Sequence, residues 1–152
     1  MKLDEIIKDE IRRSVAFFLD FTNLKTDSRG FGLTADSTKT PERASIASVG
    51  YALTAWVIAA ERGILPRDTA RRITAGTLNT LLFNTSHFKG FFAHFLVTET
   101  GERYGKTEFS TIDTAICLNG VITASAYFHD DEISQLAEAV LERVDWGFLV
   151  FE

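Results

Sequence analysis

One cysteine, two prolines and three histidines are all that 152 residues contain of these types, and each scarcity closes off a class of protein. A lone Cys117 allows no internal disulfide, and its place in an apolar helical stretch reads as a small core residue. His87, His94 and His129 lack metal-ligand spacing and Cys117 is far from all of them, so neither a metal nor any other cofactor is expected. No Ser-His-Asp or Cys-His pattern stands out either. Basic residues are outnumbered, 16 Lys and Arg against 21 Asp and Glu for a net charge of -5, and they are scattered along the chain. Affinity for a phosphate backbone needs them clustered, so nucleic acid is not an expected partner. Residues 44–60 carry no charge, but they fall short of the roughly 20 apolar residues of a membrane span and include Ser45, Ser48, Gly50 and Thr54. A helix enclosed by protein is expected there, and no membrane association. The opening residues, with Asp4 and Glu5, do not read as an export signal.

What is abundant is apolar and aromatic: 45% hydrophobic residues, with 13 Phe, three Tyr and two Trp. That is enough for one ordinary globular core over residues 1–152, and no linker or low-complexity run divides the chain. The apolar spacing predicts five helices. From Asp4 to Phe21, Ile7, Ile11, Val15 and Phe18 recur at helical spacing with charged residues between them, which marks an outer helix with one buried face. Ala44 to Arg62 is apolar or small around its middle and reads as an inner helix. Arg67 to Phe83 returns to a single apolar stripe and is outer. Ser110 to Phe128 is charge-free after Asp113 and is inner. Asp131 to Trp146, acidic at its start, shows one apolar face and is outer again.

The links alternate as well. Gly63 to Pro66 and His129–Asp130 are short, whereas Thr22 to Arg43 and Asn84 to Phe109 are long. Antiparallel packing then gathers both long links over one end of the helices, where binding and catalysis usually sit. Phe91 to Val97, a turn at 98–101, and Glu102 to Lys106 predict a small β-hairpin in the second link. The fold class expected is all-α, alternating outer and inner helices with that hairpin on one face; such pairs build closed rings or open solenoids, and the enclosed inner helices favour a ring, of which five helices make a partial toroid.

The best candidate for chemistry is Glu108-Phe109-Ser110-Thr111-Ile112-Asp113, where two carboxylates straddle the start of an inner helix. The helix dipole and free N–H groups hold a carboxylate ionised there, which suits a base, a nucleophile or a sugar-hydroxyl ligand better than a general acid. A helix cap made by Ser110 explains the same residues without chemistry. Asp36 lies in the other long link and could reach this face or simply make a turn. His94 could donate to a sugar hydroxyl or be packed. Phe92, Phe95 and Tyr104 could stack on sugar rings or fill the core.

Five stretches taken together carry a resemblance: Phe17-Phe18-Leu19-Asp20, Ala44-Ser45-Ile46-Ala47-Ser48-Val49-Gly50, Glu61-Arg62-Gly63, Lys89-Gly90-Phe91-Phe92-Ala93-His94-Phe95-Leu96, and Glu108 to Ala115. In this order they resemble the glucoamylase-like glycosidases of bacteria, which include endo-β-1,2-glucanases and a domain of cyclic β-1,2-glucan synthases. The resemblance implies an (α/α)₆ toroid with a β-glucan cleft over the long-link end, lined by the stretch containing Glu108 and Asp113, with Lys89 and His94 in the motif beside it. It makes Asp113 and Glu108 the catalytic candidates and sets Lys89 and His94 beside them as substrate-binding ones, to which Asp36, by its position, and Phe92 and Tyr104, as aromatic faces, are added.

The family's ring has twelve helices and this chain resembles only its N-terminal five. The remaining acidic cleft residues, including a general acid, are therefore expected outside it. Three functions stay open: a glycoside hydrolase-like domain acting on a bacterial β-glucan, a non-catalytic sugar-binding or assembly protein, and a helical interaction module. The inner helices, lacking a closing wall, are expected to leave apolar surface around Val49, Trp56 and Ile116 for a second copy or a complementing polypeptide.

Overall fold

The computed structural model describes residues 2–150. Five helices are present: α1 (Leu3–Phe21), α2 (Ile46–Glu61), α3 (Arg67–Phe83), α4 (Thr111–Phe128) and α5 (Asp131–Glu142). The expected alternation holds. The inner pair α2 and α4 pack closely on each other, and the outer helices α3 and α5 lie against them and against each other. None of the described helices is long and apolar enough to cross a membrane.

The inner pair approach backbone to backbone, and two glycines permit it. A Cβ on Gly120 would stand 2.1 Å from the carbonyl oxygen of Gly50, and one on Gly50 would stand 2.6 Å from Cys117 Cα. Around this crossing Val49, Leu53, Trp56, Cys117 and Val121 are sealed from solvent. They share one cluster with Ile73, Leu78 and Leu81 of α3 and Ile133 and Val140 of α5. Burial raises the Cys117 thiol to about 12, so it is a neutral packing group as the sequence implied.

Three expectations are corrected in detail. The face of α1 is only partly buried: Val15 is enclosed and Phe18 meets Trp56 edge-on, yet Ile6 and Ile7 remain open. Together with Tyr51 and Ile58 of α2 they line an apolar groove of about 480 Å³. Val49 and Trp56 are covered within the chain and Ile116 is half-buried. The open apolar positions of the inner pair are instead Tyr51 and Ile58 of α2, beside α1, and Ile112 and Ile122 of α4, where Ala115 and Ala126 are exposed too. Finally, α5 stops at Glu142, and Trp146 belongs to a separate 3₁₀ turn, Trp146–Leu149, capped by the Asp145 side chain. Arg143 explains the stop. Its guanidinium donates to the Leu81 and Leu82 carbonyls at the end of α3 and lies over the Phe92 ring, anchoring the chain as it leaves the helix.

The long links build small strands: β1 (Arg43–Ser45), β2 (His87–Phe88), β3 (Phe91–Phe92) and β4 (Phe95–Val97). The expected hairpin is present, through a single bridge between Leu96 and Arg103. The longer ladder of β4, however, is with β1 of the other link, pairing Arg43 with Val97 and Ser45 with Phe95. Bridges run from Ala35 to Ala44 and from Leu96 to Arg103, so four extended segments from both links lie side by side. This is why α2 begins at Ile46 rather than Ala44: Arg43–Ser45 are held extended by strand pairing. A second hairpin, β2–β3, turns through Lys89 and Gly90, both at positive φ, as a two-residue turn of that hand requires.

Candidate functional site

Both inner helices begin on the long-link face, at Ile46 and Thr111, and the strands cover these starts. Residues 92–94 run antiparallel to 108–110: the Ser110 N–H donates to the Phe92 carbonyl, the His94 N–H donates to the Glu108 carbonyl, and Ala93 bridges Phe109. Thr114 accepts from the Phe92 amide through its hydroxyl and ties this ladder to α4. In that register His94 lies opposite Glu108, and a ladder of backbone bonds thereby fixes the side-chain pair.

The pair is close. His94 Nδ1 is 2.7 Å from Glu108 Oε1, and His94 Nε2 is 3.8 Å from Asp113 Oδ2. Glu108 also accepts from the Thr107 hydroxyl, and its carboxyl is held below the usual range by its own backbone amide first, then by His94 and Thr107. A carboxylate with no proton to give must accept, so His94 Nδ1 carries the hydrogen, and Nε2 is left turned toward Asp113. The hydrogen bonds that lower the Glu108 carboxyl are local, and Glu108 stands two residues ahead of the Ser110 cap.

Asp113 sits in the first turn of α4 in a reciprocal cap with Ser110: the Asp113 N–H donates to the Ser110 hydroxyl, which donates to Asp113 Oδ2. The capping role and the candidate chemical role therefore coexist in one side chain. Asp113 is largely shielded, while Glu108 is mostly open to solvent.

Other sequence candidates divide. Asp36 reaches the same face and is paired with Arg43 at 3.1 Å. Tyr104 is partly exposed on the turn beside β4, its amide bonded to the Phe95 carbonyl. Phe92 is fully buried under Arg143 and presents no face to a ligand, so the stacking role expected of it gives way to a core role. Lys89 is drawn instead to Asp145 and the Phe148 ring, on the 3₁₀ turn. Sequence reasoning missed Arg43, whose guanidinium lies 4.4 Å over Phe95, which in turn stacks on His94 at 3.9 Å. Only pairing between the two long links makes that connection. No group of three His, Cys, Asp or Glu side chains among the described residues is arranged to hold a metal ion.

Comparison with known proteins adds to this geometry. No family model matches the chain. No curated protein matches its sequence. Solved structures do match: a protein assigned as a glucoamylase from Bacteroides uniformis superposes with a TM-score of 0.84 at 21% identity, over 97% of this chain and 37% of its own. The endo-β-1,2-glucanase from Chitinophaga pinensis, in complex with sophorotriose and glucose, gives 0.78 at 16% identity, over 94% and 36%. The β-1,2-glucanase from Parabacteroides distasonis gives 0.80 at 18% identity, over 97% and 22%. The chain thus has the helical arrangement of part of these structures and spans little more than a third of their length at most. The resemblance read from its motifs holds at the level of the fold.

Proposed function

We propose that this chain is a glycoside hydrolase-like, sugar-binding unit for a bacterial β-glucan, with the β-1,2 linkage as the first to test. Glu108, Asp113 and His94 form its sugar-facing group. The observation that carries this reading is the meeting of the three side chains at the start of inner helix α4, on the face where both long links gather. The glucanase structures that share the fold act on or hold β-1,2-linked sugars, which supports the choice of ligand.

The chemistry assigns roles. Glu108, ionised and exposed, accepts hydrogen bonds from sugar hydroxyls or takes a proton from an attacking water. His94 orients Glu108 through Nδ1 and offers Nε2 to the ligand beside Asp113. Asp113, steadied by Ser110, is the second acceptor or the base. Glycosidic cleavage also needs a protonated carboxyl on the other side of the scissile bond. Glu108, with its lowered pKa, is ill-suited to supply it, and this reading takes that acid from outside the three residues.

A second reading is favoured by the open apolar side of the inner pair, where Ile112 is 66% and Ile122 51% exposed. Patches of this kind mark interfaces. In this reading the chain binds sugar without turnover and assembles with a second copy or a complementing helical polypeptide through Tyr51, Ile58, Ile112 and Ile122.

The deciding experiment is hydrolysis of β-1,2-glucan beside a calorimetric titration with its oligosaccharides, for the chain and for Asp113→Asn and Glu108→Gln. Turnover that disappears in either variant makes this a working catalytic site. Binding weakened by the variants, without turnover, selects the second reading. Neither binding nor turnover in the unmodified chain refutes both and leaves an interaction module.

A further inference from the structure

We infer that Arg43 is a positioning residue for His94: held by Asp36 and stacked on Phe95, it fixes the plane of the imidazole that faces Glu108 and Asp113. Its significance for sugar binding rests on the function proposed above; the orientation of His94 does not.

Four observations converge. Arg43 donates from a terminal nitrogen to Asp36 Oδ2 at 3.1 Å, and Asp36 is placed opposite it because the Asp36 amide bonds the Arg43 carbonyl at 2.9 Å. The guanidinium centre lies 4.4 Å from the Phe95 ring centroid. Phe95 and His94 stack at 3.9 Å with an interplanar angle of only 18°, the bend at His94 just ahead of β4 bringing the two rings to the same side. The Arg43 Nε is buried and has no hydrogen-bond partner.

The unpartnered Nε is informative, because an unsatisfied buried donor costs free energy that a fully solvated arginine would not incur. A planar cation pressed on an aromatic face offsets that cost, and only a guanidinium can stack in this way; the rounded ammonium of lysine cannot. The register makes the arrangement specific. Arg43 pairs with Val97 and Ser45 with Phe95, so Arg43 reaches Phe95 diagonally across the β1–β4 ladder. The Ile46 amide meanwhile donates to the His94 carbonyl and fixes the backbone beneath the imidazole. Asp36 therefore acts on the site through Arg43, without needing to touch a ligand.

The test reads His94 directly. Nitrogen-15 chemical shifts of its ring are recorded in the full chain at about pH 8.5, above the ordinary imidazole range. Signals are assigned with His87→Gln and His129→Gln, and recording is repeated with β-1,2-linked oligosaccharide added. The unmodified chain should show one dominant tautomer with hydrogen on Nδ1. Arg43→Ala, Arg43→Lys and Phe95→Leu should each lose that preference, the two ring nitrogens moving toward each other, while His87 and His129 stay in place. Asp36→Asn should move them in the same direction by less. Failure of lysine to rescue separates planar stacking from charge alone.

Unchanged His94 shifts in any folded Arg43 variant would overturn the inference, as would full rescue by lysine. Should Arg43→Ala not fold, Arg43→Lys and Phe95→Leu decide the question in the same way. A His94 response that depends on Arg43 in a chain that ignores the sugar would sustain the positioning role while refuting the proposed function.

Discussion

The inner helices α2 and α4 and the outer helices α1, α3 and α5 are made from the same kinds of apolar residue, yet they distribute them differently. On α3 the exposed positions are Arg67, Asp68, Arg72 and Asn79, with Phe83 open at the last residue, and the buried ones form a stripe beneath. On α4 the exposed positions are Thr111, Ile112, Ala115, Asn119, Ile122 and Ala126, with no charge among them. Apart from Phe83, α3 meets water with polar and charged residues. The inner ones have a side that water touches but whose composition is that of an interior, and this difference separates a surface from an interface.

The largest way to break the comparison is at the inner crossing. Gly120→Val drives side-chain atoms into the Gly50 backbone, which cannot give way as a flexible side chain would. A loss of about 3 kcal/mol or more is expected in a urea melt. Gly63→Ala, where an added Cβ meets nothing but φ is +65°, should cost only about 1 kcal/mol. Equal losses at the two positions would mean that the inner helices are not in backbone contact.

Next in size is truncation of apolar side chains. Leu53→Ala in α2 removes a fully buried side chain and should cost about 2–5 kcal/mol, whereas Ile7→Ala on the half-open face of α1 should stay within about 0.5 kcal/mol. A comparable loss at Ile7 would show that the α1–α2 groove is filled in solution.

At the site the expected effect is a titration rather than a melt. Glu108 has a lowered pKa in the folded chain, so its contribution to stability is present above the ordinary glutamate value of 4.5 and fades as pH falls through the lower, folded value. Its carbon-13 carboxyl midpoint should lie below 4.5 and move upward in His94→Gln, with a smaller upward move in Thr107→Val. A midpoint unmoved by His94→Gln would break the pairing. The smallest effect on folding belongs to Ile122→Asp, within about 0.5 kcal/mol because the side chain is half exposed. By sedimentation the same change should dissolve any assembly built on the inner face.

Much of this architecture is legible in the residues, for identifiable reasons. Helix α4 begins where Ser110 and Asp113 stand three apart ahead of an apolar run, because that spacing closes a reciprocal cap within one turn. Alternating long and short links foretell that both long links gather over one end of the helices. The failures are equally local. Arg43 to Ser45 reads as the lead-in to a helix because nothing in those three residues announces a strand whose partner, β4, lies some fifty positions later. Lys89 and His94 look equivalent in one motif, but Lys89 is turned by a left-handed backbone toward Asp145, whereas His94 is carried by the ladder to Glu108.

The sequence by itself determined the alternation of helices, the thiol of Cys117 as a core group and the placing of Glu108 and Asp113 at a helix start. Each depends on periodicity, size or a contact within a few residues, which the order of residues specifies directly. Only the tertiary structure decided that His94 joins those carboxylates, that Arg43 and Asp36 reach it through Phe95, and that Phe92 is lost to the core. These depend on which extended segments pair and in what register. A shift of one residue in that pairing would reverse the facing of every side chain along it.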